Sequence, residues 1–213
     1  MRLVLENITK EIKRVTVLTN VSMEIQGGTV CGIRGTNGSG KTMLLRVMAG
    51  FLIPTKGTIY FENDMQEKQS LGNCDIGALI EKPAFLDSYT GLQNLKLLAG
   101  IRGKVSEREI CETLERVNLD FKDKRKFKKY SMGMKQKLGI ASAIMEKPSI
   151  ILLDEPTNGL DSLGLNMLEK IICEESSRGA VVVITSHDMD FLERCCEEIY
   201  DIRQGIVTSV RDI

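Results

Sequence analysis

A glycine-rich segment that ends in a lysine and a threonine is the feature of this sequence with the clearest chemical meaning. Residues 35–42 read Gly-Thr-Asn-Gly-Ser-Gly-Lys-Thr, between a predicted strand at 29–34 and a predicted helix at 41–49. Glycines let backbone N–H groups converge on an anion, and a helix N-terminus adds its positive dipole end. In such a loop Lys41 reaches the β- and γ-phosphates of a nucleotide, and the hydroxyl of Thr42 ligates Mg²⁺. The other predicted phosphate-binding residues are Gly35, Thr36, Asn37, Gly38, Ser39 and Gly40.

Two adjacent acids follow an apolar run further along the chain. Residues 150–153 read Ile-Ile-Leu-Leu, and Asp154 and Glu155 come directly after them. A buried strand would carry both acids to its carboxyl end, the edge where ligands bind in open α/β sheets. There Asp154 would hold Mg²⁺, and Glu155 would orient or deprotonate an attacking water. Taken alone, the pair fits equally well a strand that ends in solvated acids, but the upstream loop favours the chemical interpretation.

His187 is the only histidine in the chain. It follows a second apolar run, residues 181–184, after the short step Thr185-Ser186, and therefore lies at another predicted strand end. A lone histidine is more often structural or solvent-facing. Its position favours a hydrogen bond to a γ-phosphate oxygen, where it would stabilise charge during phosphoryl transfer.

Hydrophobic patterning predicts the elements that position these residues. The first thirty residues have strand patterns, and near-continuous apolar strands separated by a helix return after Pro148. Such an arrangement predicts a buried parallel sheet. From about 83 to 145 the spacing is helical instead, with a capping signature at Ser106 and an N-cap at Ser131. The chain therefore predicts an α/β core interrupted by a helical insertion, with a terminal hairpin that turns at Gln204-Gly205.

Composition excludes several other classes of protein. Lys and Arg number 29 and Asp and Glu number 29 among 213 residues, and a net charge of zero argues against a strongly electropositive nucleic-acid binder. The basic run at 122–129 is accordingly interpreted as a solvated surface, with a nucleic-acid patch as the weaker alternative. Six irregularly spaced cysteines predict reduced thiols. No apolar run approaches the roughly 20 residues that span a bilayer, so we expect a cytosolic protein unless a partner holds it at a membrane.

In their order along the chain, these motifs resemble those of the ATP-binding subunits of ABC transporters, and the resemblance covers essentially the whole chain. Residues 35–42 resemble the Walker A motif, residues 150–155 the Walker B motif, and Ser186-His187 the switch histidine. Ser131-Met132-Gly133-Met134 stands at the position of the signature motif, and residues 158–161, which end in Asp161, resemble the D-loop. Glu81 stands where the family has the Q-loop glutamine.

The resemblance implies a P-loop NTPase (RecA-like) core of the α/β class, with an N-terminal antiparallel β subdomain and an inserted α-helical subdomain. It implies one ABC ATPase domain over residues 1–213, with 1–82 and 146–213 as the catalytic core and 83–145 as the helical signature subdomain. Two such subunits, identical or different, would form a head-to-tail dimer. Ser131, Gly133 and Asp161 would then belong to the ATP-binding set, with the first two contacting ATP bound to the partner, and Glu81 would join Thr42 and Asp154 around Mg²⁺.

The resemblance also implies a Mg²⁺-dependent ATPase that powers a transporter, bound to the inner face of the cell membrane through a separate polytopic permease. The segment after Glu81, around 83–98, would transmit closure of the dimer to that permease. Glu81 and the Ser-Met-Gly-Met signature resemble the bacitracin and lantibiotic export and immunity branch, which implies export of a peptide antibiotic or a similar amphipathic substrate.

One departure from the family pattern and two alternatives stay open at this point. Ile12 stands where the family has an adenine-stacking aromatic, which predicts weaker or less base-selective nucleotide binding. One alternative is a soluble ABC-type ATPase that acts on ribosomes or DNA. The other is a nucleotide-binding regulatory module without turnover.

Overall fold

The computed structural model describes residues 1–63, 65 and 67–212, and in these residues the chain forms ten strands and six α-helices. The strands are β1 Arg2–Ile12, β2 Val15–Gln26, β3 Val30–Arg34, β4 Lys56–Glu62, β5 Lys68–Gln69, β6 Ile76–Leu79, β7 Ile150–Asp154, β8 Val181–Ser186, β9 Glu198–Arg203 and β10 Ile206–Asp212. The helices are α1 Lys41–Met48, α2 Gly91–Arg102, α3 Glu107–Arg116, α4 Met132–Ile144, α5 Ser162–Ser177 and α6 Met189–Cys195.

The strands form two sheets. An antiparallel sheet has the order β2-β1-β4-β5, and a six-stranded sheet has the order β10-β9-β3-β8-β7-β6. In the larger sheet β6, β7, β8, β3 and β9 run parallel, and β10 returns antiparallel to β9 as the predicted hairpin. The α/β class, the parallel core and the N-terminal antiparallel strands are confirmed. Strands β5 and β6 were not predicted.

The alternating direction of side chains along the central strands divides the hydrophobic core into two layers, one on each face of the larger sheet. Successive side chains on a strand point to opposite faces of the sheet. In β7, Ile150 and Leu152 pack with α1 and the antiparallel sheet. Ile151 and Leu153 pack on the other face with residues of α2 to α6. Every residue of β7 and β8 is buried, as expected for a parallel sheet covered on both faces.

Capping residues start all three helices of the helical part of the chain, at the predicted Ser106 and Ser131 and at Thr90, which was not predicted. Ser106 and Thr90 each form a capping box with the residue three positions later, at the starts of α3 and α2. Ser131 caps α4 by accepting a hydrogen bond from the N–H of Met134 at 3.2 Å. Helices α2, α3 and α4 all lie within 83–145. That 83–145 forms a subdomain distinct from 1–82 and 146–213 stays a prediction.

Helix α4 comes unusually close to the edge strand β6. A Cβ atom on Gly77 would lie 1.8 Å from the carbonyl oxygen of Ala143 and 2.7 Å from the ring of Pro148. Only glycine fits this position, and the helix that begins at Ser131 is thereby packed directly against the core sheet. Among the described residues, no helix combines the length and the apolar character that crossing a bilayer requires.

Candidate functional site

The phosphate-binding loop, residues 35–42, leaves the carboxyl end of β3 and enters α1. Gly40 is the N-cap of α1 and has φ 111°, a conformation that glycine adopts without strain. A Cβ atom on Gly35 would lie 2.4 Å from the hydroxyl of Ser39, so the first glycine is required for the loop to close on itself. Lys41 is buried, and its Nζ donates to the carbonyl of Gly35 at 2.7 Å. The lysine therefore lies inside the loop, where an anion would sit.

Asp154 is held by two hydroxyl groups at the end of β7. Thr42 Oγ1 donates to Asp154 Oδ2 at 2.7 Å, and Thr185 Oγ1 donates to Asp154 Oδ1 at 2.6 Å. Asp154 is 6% exposed and Thr185 is fully buried, so these are buried hydrogen bonds that hold the carboxylate in one orientation. The predicted pair Thr42 and Asp154 is thus brought together, as a magnesium site requires.

Glu81, the third predicted metal ligand, lies nearby but is engaged elsewhere. It lines a cavity of about 530 Å³ together with Thr42, Asp154 and Glu155, which we call the acid-lined cavity. Its carboxylate forms an ion pair with Arg46 of α1, and it is 58% exposed. Its role at a metal stays a prediction.

Glu155 lies between the lysine of the loop and the histidine. Its Oε1 is 3.3 Å from Lys41 Nζ, and its Oε2 is 2.8 Å from His187 Nδ1. Its backbone is left-handed, with φ 47°, and its N–H is held by the carbonyl and hydroxyl oxygens of Thr185. The three predicted catalytic residues therefore meet at one edge of the sheet, where the carboxyl ends of β7 and β8 face the loop.

Two residues of this site were missed by sequence reasoning. Thr185 contacts both acids, and Gln136 of α4 donates from Nε2 to the carbonyl of Glu155 at 3.2 Å. Thr185 is adjacent to the singled-out Ser186-His187, and Gln136 follows the predicted signature, so position was the available signal. Neither residue type by itself indicates catalysis.

The loop and the acids line one open cleft of about 550 Å³, which we call the nucleotide cleft. It lies within the size range of small-molecule sites. Val15 and Val17 of β2 form its apolar side, whereas Ile12 pairs with Val15 at the start of the β1–β2 turn. Within the described part of the chain, two buried side-chain oxygens make no hydrogen bond, Ser39 Oγ and Glu155 Oε1, although the latter has the ionic contact with Lys41. Both belong to this site, as expected where a ligand supplies the missing partner.

The predicted signature residues lie at a different cavity, of about 450 Å³, which we call the signature cavity. Ser131 and Gly133 line it at the start of α4, and Asp161 lines it as the N-cap of α5, accepting from Gly164 N–H at 2.8 Å. A Cβ on Gly133 would lie 2.6 Å from the carbonyl oxygen of Gly159, so α4 starts directly against this second loop. Ser131, Gly133 and Asp161 therefore lie together at the signature cavity, and none of them lines the nucleotide cleft with the phosphate-binding loop.

Comparisons with known proteins agree with this geometry. The family model described as "ABC transporter" matches residues 18–158. The chain is 41% identical to the ABC transporter ATP-binding protein YybJ of Bacillus subtilis, covering 93% of this chain and 91% of the relative. It is 36% identical to the bacitracin transport protein BcrA of Enterococcus faecalis, over 94% and 66%, and to the lantibiotic transport protein SrtF of Streptococcus pyogenes, over 94% and 86%.

A solved structure shows the same fold with reaction products bound. The dimeric post-hydrolysis state of the ATP-binding cassette MJ0796, bound to ADP and Pi, is 26% identical with a TM-score of 0.85, covering 99% of this chain and 98% of that one. The resemblance and the P-loop NTPase core predicted from the sequence are thereby confirmed. The chain therefore belongs to the ABC transporter family, as an ATP-binding subunit that hydrolyses ATP.

Proposed function

We propose that this subunit hydrolyses ATP with Mg²⁺ in the nucleotide cleft, with Glu155 as the general base, and that it powers the export of a peptide antibiotic or a similar amphipathic substrate. The observation that carries the catalytic assignment is the place of the Glu155 carboxylate, 3.3 Å from Lys41 and 2.8 Å from His187, beside the phosphate-binding loop. The Glu155 side chain is 17% exposed, and its buried Oε1 has no hydrogen-bond partner, so the carboxylate is shielded and keeps an acceptor available for a water molecule.

The residues present fit a magnesium ion. Mg²⁺ prefers hard oxygen ligands and is bound through one or two protein groups together with substrate phosphates. Thr42 and Asp154 offer a hydroxyl and a carboxylate oxygen 2.7 Å apart at the end of the loop. When bound there, the ion would neutralise charge on the β- and γ-phosphates.

Phosphate binding would change the partners of Lys41 and Glu155. Lys41 now contacts a loop carbonyl and the Glu155 carboxylate, and it would exchange both for phosphate oxygens. Glu155 would then accept a proton from a water whose oxygen attacks the γ-phosphorus, while the bond to the β–γ bridging oxygen breaks and ADP leaves. His187 is 64% exposed and hydrogen-bonded to Glu155, so it can turn to donate to a γ-phosphate oxygen.

The signature cavity supports the proposed dimer. Ser131 and Gly133 lie at a helix N-terminus, which favours an anion, and they line a cavity separate from that of the loop in the same chain. In a head-to-tail pair of subunits they would reach the ATP bound to the partner. The relative of known structure cited above is dimeric.

A polytopic permease and an amphipathic peptide cargo are supported by the relatives, whose names assign bacitracin and lantibiotic transport to BcrA and SrtF. Through that permease the subunit would lie on the inner face of the cell membrane. The segment 83–98, which would carry motion to the permease, presents exposed apolar side chains at Leu86 and Leu97. Nucleic acid is not a proposed partner, because the net charge is zero.

Glu155→Gln tests the proposal. Losing the general base should lower phosphate release by at least about 100-fold while ATP binding persists, and the ATP-bound variant should accumulate as a dimer. Glu193→Gln is the matched control, because Glu193 is an exposed acid of α6 outside the cleft.

Affinity purification of Glu155→Gln with ATP and Mg²⁺ in mild detergent should recover a polytopic membrane protein. Undiminished hydrolysis would remove Glu155 from its role, and recovery of ribosomal or DNA-bound proteins instead would favour a soluble machine.

A further inference from the structure

Glu81 occupies the same place at the end of β6 that Glu155 occupies at the end of β7. The two strands are parallel neighbours, and Leu79 pairs with Leu153. Glu81 and Glu155 therefore each stand two residues beyond a paired position. Each also has a left-handed backbone, with φ 65° and φ 47°. The sheet thus delivers two glutamates to adjacent places on the same edge.

Helix α1 supplies a cation to each of these carboxylates. Lys41, at its first turn, contacts Glu155, and Arg46, near its end, contacts Glu81. Arg46 follows Thr42 by four residues, so the two side chains lie on the same helix face. The carbonyl of Arg46 accepts from the N–H groups of Phe51 and Leu52, at 2.9 and 3.1 Å, which fixes the backbone from which the guanidinium extends.

The charges around Glu81 favour its outward position, against Arg46, when no metal is bound. Asp154, Glu155 and Lys82 line the same acid-lined cavity, and Glu155 is already paired with Lys41. A Glu81 carboxylate that turned inward without a metal would therefore meet the like charge of Asp154. With a divalent ion at Thr42 and Asp154, the same inward position would become favourable. Among the described residues, Arg46 is the only ion-pair partner of Glu81, and at 31% exposure it is the better-shielded member of the pair.

We propose that Arg46 is a positioning residue that holds the Glu81 carboxylate at the mouth of the acid-lined cavity and yields it to the metal-bound nucleotide. The inference rests on the proposed Mg²⁺-dependent function and adds to it a competition between a guanidinium and a metal for one carboxylate. Removing Arg46 would then help binding of the metal complex, because no ion pair has to break. It would hinder binding of metal-free nucleotide, because a freed carboxylate repels the phosphates.

A double-mutant cycle with the purified full chain tests this sign reversal. Wild type, Arg46→Gln, Glu81→Gln and the double variant are titrated with a fluorescent, non-hydrolysable ATP analogue, once with Mg²⁺ and once with EDTA. The effect of Arg46→Gln in the Glu81→Gln background corrects for the general loss of a positive charge. Relative to that background, Arg46→Gln should tighten binding about two- to fivefold with Mg²⁺, the range for a partly exposed ion pair. With EDTA it should weaken binding.

Two further variants separate positioning from structure. Arg46→Lys keeps the charge and should shift affinity less than Arg46→Gln. Arg46→Met keeps the apolar stem and replaces Arg46→Gln in the cycle if the glutamine variant does not fold, as judged by thermal unfolding. A coupling of the same sign in Mg²⁺ and EDTA, or none in either, overturns the role of Arg46. Failure of the wild type to bind the analogue with Mg²⁺ would instead overturn the proposed function.

Discussion

Replacing Thr185 by valine should destabilise the protein by about 1.5–3 kcal/mol, the range for losing a hydrogen bond to a charged group. Thr185 is fully buried, and its hydroxyl donates to Asp154 Oδ1 at 2.6 Å. Valine has nearly the same shape, so packing is kept and the carboxylate loses a donor. The N–H of Glu155 also contacts this hydroxyl, at 3.0 Å, but it keeps the carbonyl of Thr185 as an acceptor at 3.1 Å. The cost therefore comes mainly from Asp154.

Thr185→Ser is the matched control, because it keeps the hydroxyl and deletes a buried methyl group, at a cost of about 0.5–1.5 kcal/mol. Urea unfolding of the nucleotide-free protein at neutral pH, followed by far-ultraviolet circular dichroism, gives both free energies of unfolding. We expect the order wild type, serine, valine, from most to least stable, with ATPase activity falling in the same order. A valine variant as stable as the serine variant would refute the claim that this hydrogen bond fixes Asp154.

Three further predictions follow from packing, burial and the base site. Gly77→Ala should destabilise the protein by about 3 kcal/mol, the upper end of the range for overpacking, because the methyl would lie 1.8 Å from a backbone oxygen of α4. Gly100→Ala, with open space around it in α2, should instead stabilise the protein by about 0.5–1 kcal/mol. Equal unfolding midpoints of the two variants would contradict the packing argument. Burial raises the pKa of Cys195 to about 12, so at about pH 8 its thiolate fraction is about 10³-fold below that of an ordinary thiol. Brief treatment with iodoacetamide should therefore modify the exposed Cys173 before Cys195, as intact-mass analysis would show. Raising the pH should speed alkylation of Cys195, and modification of Cys195 ahead of Cys173 would refute its burial. Ile12→Tyr should tighten ATP binding by about 1 kcal/mol or more through base stacking, measured by competition with a fluorescent nucleotide, and an unchanged affinity would show that the base does not reach this position.

That Lys41, Glu155 and His187 meet at one edge of the sheet was predictable, because each of them belongs to a local sequence pattern. Glycines followed by lysine, an apolar run followed by two acids, and a histidine after another apolar run each indicate a strand end in their own few residues. Parallel strands bring their carboxyl ends to one edge of a sheet, so three local patterns predict a single site. The contacts of Glu155 with Lys41 and His187 show that this step of the reasoning was correct.

Strand β6 was missed because its own residues favour a strand only weakly. Its four residues are Ile76-Gly-Ala-Leu, and glycine and alanine are depleted in strands. What makes this segment a strand is its pairing with β7 and the close approach of α4 over Gly77. Both contacts join residues more than sixty positions apart. Thr185 and Gln136 were missed for the same reason, since their hydrogen bonds to the acids link distant segments.

The register between β6 and β7 also gives the substitution at position 81 a physical meaning. A glutamate there stands beside Glu155 on one sheet edge, and α1 neutralises both, through Arg46 and Lys41. In the proposed mechanism, phosphate oxygens would take Lys41 from Glu155 and so free that carboxylate to accept a proton. Arg46 would keep its ion pair with Glu81 until a metal draws that carboxylate away. An acid at position 81 would therefore be contested by the guanidinium and the metal, which a neutral amide at the same position could not be through charge.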